Sequence, residues 1–130
     1  NLNYNNEEFD HVISLGVLEM LANREFAKHC IEELCRVLKK GGKMIVSTLA
    51  PENSFVINAE KQINEEEFYF SGEEEDKTVK VDYHLFIPKS KKSFSELFPS
   101  TVNVTEIGSW DNEYCNVKGT HYVALVEKPM

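Results

Sequence analysis

Two apolar, β-branched runs joined by one amphipathic segment constrain this chain more than any other feature. The first, Phe9 to Leu15 (FDHVISL), suits a strand buried on both faces. The second, Lys43 to Leu49 (KMIVSTL), reads the same way. Between them Asn23 is a natural helix N-cap. Behind it Phe26, Cys30, Leu34 and Val37 recur on one helical face, which Ala27, Ile31 and Leu38 widen. Lys28, Glu32 and Arg36 lie on the outer side at pairing distance. Lys39 and Lys40 suit the negative helix end, and Gly41-Gly42 is expected to stop the helix. Strand, helix, glycine stop and strand make a βαβ unit. Its crossover should be right-handed and its strands parallel, so the fold class is α/β.

The rest of the chain extends this unit. Asn1 to Glu8 is polar and reads as a loop. Pro51 to Ser54 is a turn, and Phe55 to Lys61 suits a short helix. Residues 65–82 read as a hairpin-like excursion, with Phe68, Tyr69 and Phe70 before the Ser71-Gly72 turn and alternating Val79 and Val81 after it. Ser90 to Phe98 suits a short helix ended by Pro99. Thr101 to Ile107 and His121 to Lys128 are expected strands, with Gly108 to Gly119 as the loop between them.

A chain of 130 residues is one domain or part of one. Its apolar runs are strand-length, so no membrane span is expected. Three cysteines, Cys30, Cys35 and Cys115, lack the spacing of a zinc site or a disulfide framework, which fits a reducing cytoplasm. The formal net charge is −8, and residues 60–82 hold nine acids against three bases. Such a surface repels phosphate backbones, so nucleic acid is not an expected partner. The acidic stretch is either a solvated hairpin or a lid or partner-binding segment.

The stretch from Glu8 to Ser54 resembles the second half of a class I, Rossmann-like S-adenosylmethionine-dependent methyltransferase. FDHVISLGVLEML matches that family's phrase, followed by a helix ending in RVLKKGG and a buried strand. Beyond Ser54 the resemblance is one of element order. It implies a partial doubly wound sheet, a parallel βαβ followed by a C-terminal antiparallel strand pair. The glycine-rich cofactor loop of the family's N-terminal half precedes the matched stretch and does not occur in this sequence. It also implies that residues 1–130 are the C-terminal part of a single methyltransferase domain, with a variable acidic insertion at about 50–88.

The implied activity is methyl transfer from S-adenosylmethionine to a small-molecule acceptor in the intact enzyme. Ser14, Leu15 and Gly16 end the first strand, where doubly wound folds bind ligands. The resemblance makes them cofactor contacts, with Glu19 beside them. Without it they form an ordinary strand-to-helix turn, and Glu19 is a surface or capping carboxylate. Met20 stands where many family members carry His, and a thioether cannot carry a proton, so it is either packing or a soft pocket wall. Phe55, Tyr83, His84 and Trp110 are candidates for the acceptor side, or else core and lid packing. Asp10, His11, His29 and His121 suit structural or surface roles. No nucleophile with a partnered base, HExxH motif or Walker sequence is present, and no metal is implied. Methyl transfer is compatible with that, because alignment alone supplies much of the acceleration.

A second reading stays open. A half-fold of this kind is also a non-catalytic interaction module or a fragment that needs a partner chain. It would expose the edge of its first strand, a template for pairing with a homodimer mate or another polypeptide.

Overall fold

A computed structural model of the chain describes residues 2–59, 61–73, 80–114 and 117–130. At residues 55, 71–73, 80–82, 114, 117 and 118 the backbone alone is described. The expectations for Val79 and Cys115 lie outside the described residues, and those for the Phe55 and Val81 side chains do as well.

The expected βαβ unit is present. Strand β1 (Phe9–Ser14) is followed by a 3-10 turn (Leu18–Leu21), helix α1 (Arg24–Val37) and strand β2 (Leu38–Leu49). β1 and β2 pair in parallel, from Phe9↔Leu38 to Ser14↔Val46, with one irregularity between Phe9 and His11. Asn23 caps α1, its side chain accepting from the Phe26 N–H at 3.0 Å. The chain then forms α2 (Ser54–Ile57), β3 (Lys61–Gln62), β4 (Glu67–Glu73), β5 (Lys80–Phe86), α3 (Lys91–Ser95), β6 (Asn103–Tyr114) and β7 (Val117–Glu127). The main sheet has the order β1-β2-β7-β6, with β7 antiparallel to both neighbours. β3, β4 and β5 make a separate antiparallel sheet, an insertion in chain order between β2 and α3.

Besides the expected Ser71-Gly72 turn, which lies within β4 and pairs with Asp82 and Val81, three expectations need correction. The helix stops about a turn early, at Val37. Its end is closed by the Lys128 ammonium, which donates to the carbonyls of Cys35 (2.9 Å) and Leu38 (2.8 Å), where a cation suits the helix dipole. The glycine pair instead lies within β2, at the crowded irregularity where its pairing with β1 passes from Leu38 to Lys43. A Cβ on Gly42 would sit 2.7 Å from Leu38 Cδ1 and 2.8 Å from the Asp10 carbonyl oxygen. Second, the buried stripe of α1 is Ala27, Ile31, Cys35 and Val37, whereas Phe26 is 60% exposed. Third, the expected loop 108–119 is largely strand, because β6 and β7 continue pairing out to Tyr114↔Val117. Its polar composition hides a ribbon held by the ladder itself.

One face of the main sheet carries the core. Met44, Val46, Tyr122, Ala124 and Val126 bury against Ile31 and Cys35 of α1 and Phe94 of α3, together with Leu97 just beyond it. Phe94 packs on Tyr122 and Phe98 at ring centroid distances of 6.3 and 5.6 Å. The opposite face is open along much of its length. Ile13, Ile45 and Leu125 form a paired row across three strands, and they are 67%, 38% and 39% exposed. β1 is therefore buried on one face in this chain, not on both. At the carboxyl end of β2 the open face is covered by the insertion, where Leu49, Val56, Phe68, Leu85 and Ile87 make a second cluster.

A polar clamp ties the insertion to the body. Arg24 at the start of α1 donates to Glu66 Oε1 (3.0 Å), to Ser93 Oγ (2.9 Å) and to the Ser93 carbonyl (3.0 Å). Glu66 also accepts from Ser93 Oγ (2.5 Å) and the Lys89 N–H (2.9 Å). One carboxylate thus joins α1, α3 and the turn before β4. At the other end of α1, Arg36 holds residues 2–6 through the carbonyls of Leu2 and Tyr4 and the Asn6 side chain.

Candidate active site

The parallel strands end side by side, and the candidate residues start there. Pairing of β1 with β2 ends at Ser14↔Val46, so the main chain of Leu15 and Gly16 leaves the ladder at the carboxyl end of the sheet. Gly16 has φ +70°, a conformation glycine adopts without the strain of a Cβ. A Cβ there would lie 3.5 Å from Glu19 Oε1. Ser14 is buried, while Leu15 and Gly16 are exposed. A bare, exposed backbone at a strand end leaves room for a close approach to the main chain of Leu15 and Gly16.

The 3-10 turn then places Glu19 and Met20 beside the insertion. With Leu49 of β2 and Tyr83 and Leu85 of β5 they line a pocket of about 240 Å³. Glu19 is 7% exposed. Its Oε2 accepts from the Thr48 hydroxyl at 3.4 Å. Burial pushes its pKa above the ordinary carboxylate value, opposed by hydrogen bonds from its own N–H and from Thr48. Tyr83 is stiffened by stacking on Phe70 (centroids 6.3 Å apart, planes 23°). The walls are thus mainly apolar, with one buried carboxylate and one phenol.

The structure brings Ser14, Gly16, Glu19 and Tyr83 into one neighbourhood. His84, the next residue on β5, is exposed and meets Tyr69 edge-on at 5.8 Å instead of lining the pocket. Trp110 lies on β6 opposite His121, with ring centroids 5.1 Å apart, and is 54% exposed. His121 pairs with Leu49 in turn, so Trp110 stands two strands away from the pocket wall. Phe55 belongs to α2, and its side chain is outside the described residues. Leu49 and Leu85 line the pocket without having been singled out. Nothing in an isolated leucine separates a pocket wall from a core position. Among the described residues no cluster of three or more potential metal ligands occurs, and no helix is long and apolar enough to cross a membrane.

Comparison with known proteins bears on the fold. Residues 1–46 match a family described as a methyltransferase domain. The fold is similar to an S-adenosylmethionine-dependent methyltransferase from Methanosarcina mazei (TM-score 0.78, 15% identity, covering all of this chain and 64% of that one). It is also similar to an S-adenosylmethionine-dependent methyltransferase from Clostridium acetobutylicum (0.68, 15%, 100% and 62%) and the CcbJ methyltransferase from Streptomyces caelestis (0.62, 10%, 100% and 61%). No curated protein matches the chain. It spans less than two thirds of the length of each of these structures. The sequence match covers the first third of the chain, and over its whole length the chain shares the fold of part of these S-adenosylmethionine-dependent methyltransferases.

Proposed function

We propose that the intact protein transfers a methyl group from S-adenosylmethionine to a small-molecule acceptor. Residues 1–130 would be the C-terminal part of its single catalytic domain, and the insertion at about 50–88 would be its acceptor-side element. The observation that carries this reading is a juxtaposition. An exposed backbone at Leu15 and Gly16, just past the buried strand end Ser14, lies beside the Glu19–Tyr83 pocket in a fold shared with such enzymes. The cofactor, when bound, supplies an activated methyl group. The main chain of Leu15 and Gly16 would hold its nucleoside part, and Glu19 would lie between that backbone and the acceptor pocket. Leu49, Leu85 and Met20 exclude water from the acceptor, while Tyr83 orients it. His84, Trp110 and Phe55 remain acceptor-side candidates of a wider site. An acidic surface disfavours nucleic acid as acceptor, and the free thiols Cys30 and Cys35 suit the cytoplasm.

The test is calorimetric titration of the chain with S-adenosylmethionine and S-adenosylhomocysteine. Micromolar binding, weakened by Gly16→Val, is the expected result. A folded chain that binds neither removes the enzymatic reading of this chain acting alone.

A second reading has its own support in the open row Ile13, Ile45 and Leu125 beside the β1 edge. In it the chain is an interaction module that completes its sheet with a second copy or another polypeptide. Sedimentation over a concentration series separates the two, because the module associates without cofactor.

A further inference from the structure

The pocket beside the first strand end holds one charged group among apolar walls, and that asymmetry defines a ligand. A buried carboxylate is costly unless a cation or several hydrogen-bond donors match it. Glu19 offers two acceptor oxygens, which receive a bond from its own N–H and one long bond from Thr48 at 3.4 Å, and no cation among the described residues pairs with it. Met20, Leu49 and Leu85 donate nothing, and Tyr83 brings one hydroxyl. We infer that Glu19 recognises an amine on the acceptor, so that the acceptor class is a small amine on a single-ring or short aliphatic body. This rests on the reading of the pocket as the acceptor site.

Three further observations agree. The pocket volume, about 240 Å³, exceeds the roughly 150 Å³ at which an apolar cavity holds benzene, leaving room for one ring and a short arm. The Tyr83 ring, braced by Phe70, offers an aromatic face of the kind that attracts ammonium groups. The chain as a whole carries a formal net charge of −8. A net negative charge favours the approach of cations over that of carboxylates and phosphates.

The experiment titrates the full chain with benzylamine, benzyl alcohol and benzoate at pH 7, read by calorimetry and by NMR shifts of Leu49 and Leu85. Benzylamine should bind at least tenfold tighter than benzoate. Glu19→Gln should weaken benzylamine at least fivefold and leave benzyl alcohol within about twofold. Met20→Lys keeps the carboxylate but sets a competing ammonium beside it, and should abolish the preference for benzylamine. Benzoate binding as tightly as benzylamine, an unchanged benzylamine affinity in Glu19→Gln, or no probe shifting Leu49 and Leu85 would each overturn the inference. S-adenosylhomocysteine is titrated separately. Its failure with the amine preference intact sinks the methyl-transfer reading alone, whereas the converse result sinks the amine inference alone.

Discussion

The two faces of the main sheet are built from the same strands and meet different fates. On the helix side Met44, Val46, Ala124 and Val126 are essentially without solvent contact. On the other side their immediate chain neighbours Ile45 and Leu125 stand more than a third exposed, and Ile13 two thirds. Alternation along a strand sends successive residues to opposite faces, so the apolar runs FDHVISL and KMIVSTL encode cover on both. Within the described residues α1 and α3 cover one face, and the insertion covers the far end of the other. The candidate site lies at that far end, where Leu49 passes under β5. The main core thus lies on one side of the sheet and the candidate site on the other.

The strongest way to break the comparison is to empty the packed face. Phe94 is fully buried and contacts two rings. Phe94→Ala should cost about 3–5 kcal/mol by urea denaturation, while Ile45→Ala should cost under about 1 kcal/mol. Equal losses would mean that the open face is buried in solution. The clamp comes next. Arg24→Ala leaves Glu66, which is mostly buried, with one cationic partner fewer, and should cost about 1–3 kcal/mol. It should also weaken ligand binding at Tyr83 and Leu85, because the insertion is tied to the body there. A loss of stability with unchanged probe affinity would show that β5 is held by the Leu49 cluster alone.

Glu19 tests the comparison with the opposite sign. Its folded-state pKa is raised above the ordinary value by burial, so the folded chain favours the protonated acid. The favourable contribution is present below the unfolded value near 4.5 and is lost as pH rises through the raised folded value. Tyr83 is the other titratable group among the pocket's lining residues. Glu19→Gln should therefore stabilise the chain at pH 7 to 8, on the order of 1 kcal/mol, and the gain should vanish below pH 4.5. A thermal melt series across pH reads this directly. A destabilised Gln variant at pH 8 would mean that the carboxylate is matched by a cation and is not a spare ligand-binding charge.

Much of the fold was legible because period and punctuation agreed. The βαβ unit, the Asn23 cap and the α3 helix after Ser90 follow from spacing and capping chemistry alone. The face of α1 was misread by one residue. Phe26 and Ala27 both fit a helical stripe, and which one packs depends on how closely the helix approaches the sheet. The β6–β7 ribbon was hidden by polar residues such as Asp111 and Asn112, whose strand state comes from pairing, not propensity. At the site, Ser14 to Glu19 stood out through a phrase of sequence. Leu49 and Leu85 did not, because a pocket wall is made by what faces it. The Arg24–Glu66–Ser93 clamp joins residues far apart in the chain, and no local pattern announces it.

The smallest expected effect sharpens the comparison most finely. Ile45 and Leu125 face each other across β2 and β7 on the open side, over a groove of about 430 Å³. Lys43, His11 and Glu127 border that groove, so a polar side chain there meets water and mixed charge. Ile45→Lys should shift the unfolding free energy by no more than about 0.5 kcal/mol at low protein concentration, the usual range for a surface substitution. Exposed apolar patches drive association, however, so the same change should reduce self-association at high concentration. Sedimentation velocity at two concentrations checks both halves. Unchanged association with a large stability loss would mean that this face closes within the folded chain itself. Reduced association at constant stability would identify the row Ile13–Ile45–Leu125 as the surface that a second polypeptide covers, one face of the sheet serving assembly and the other the core.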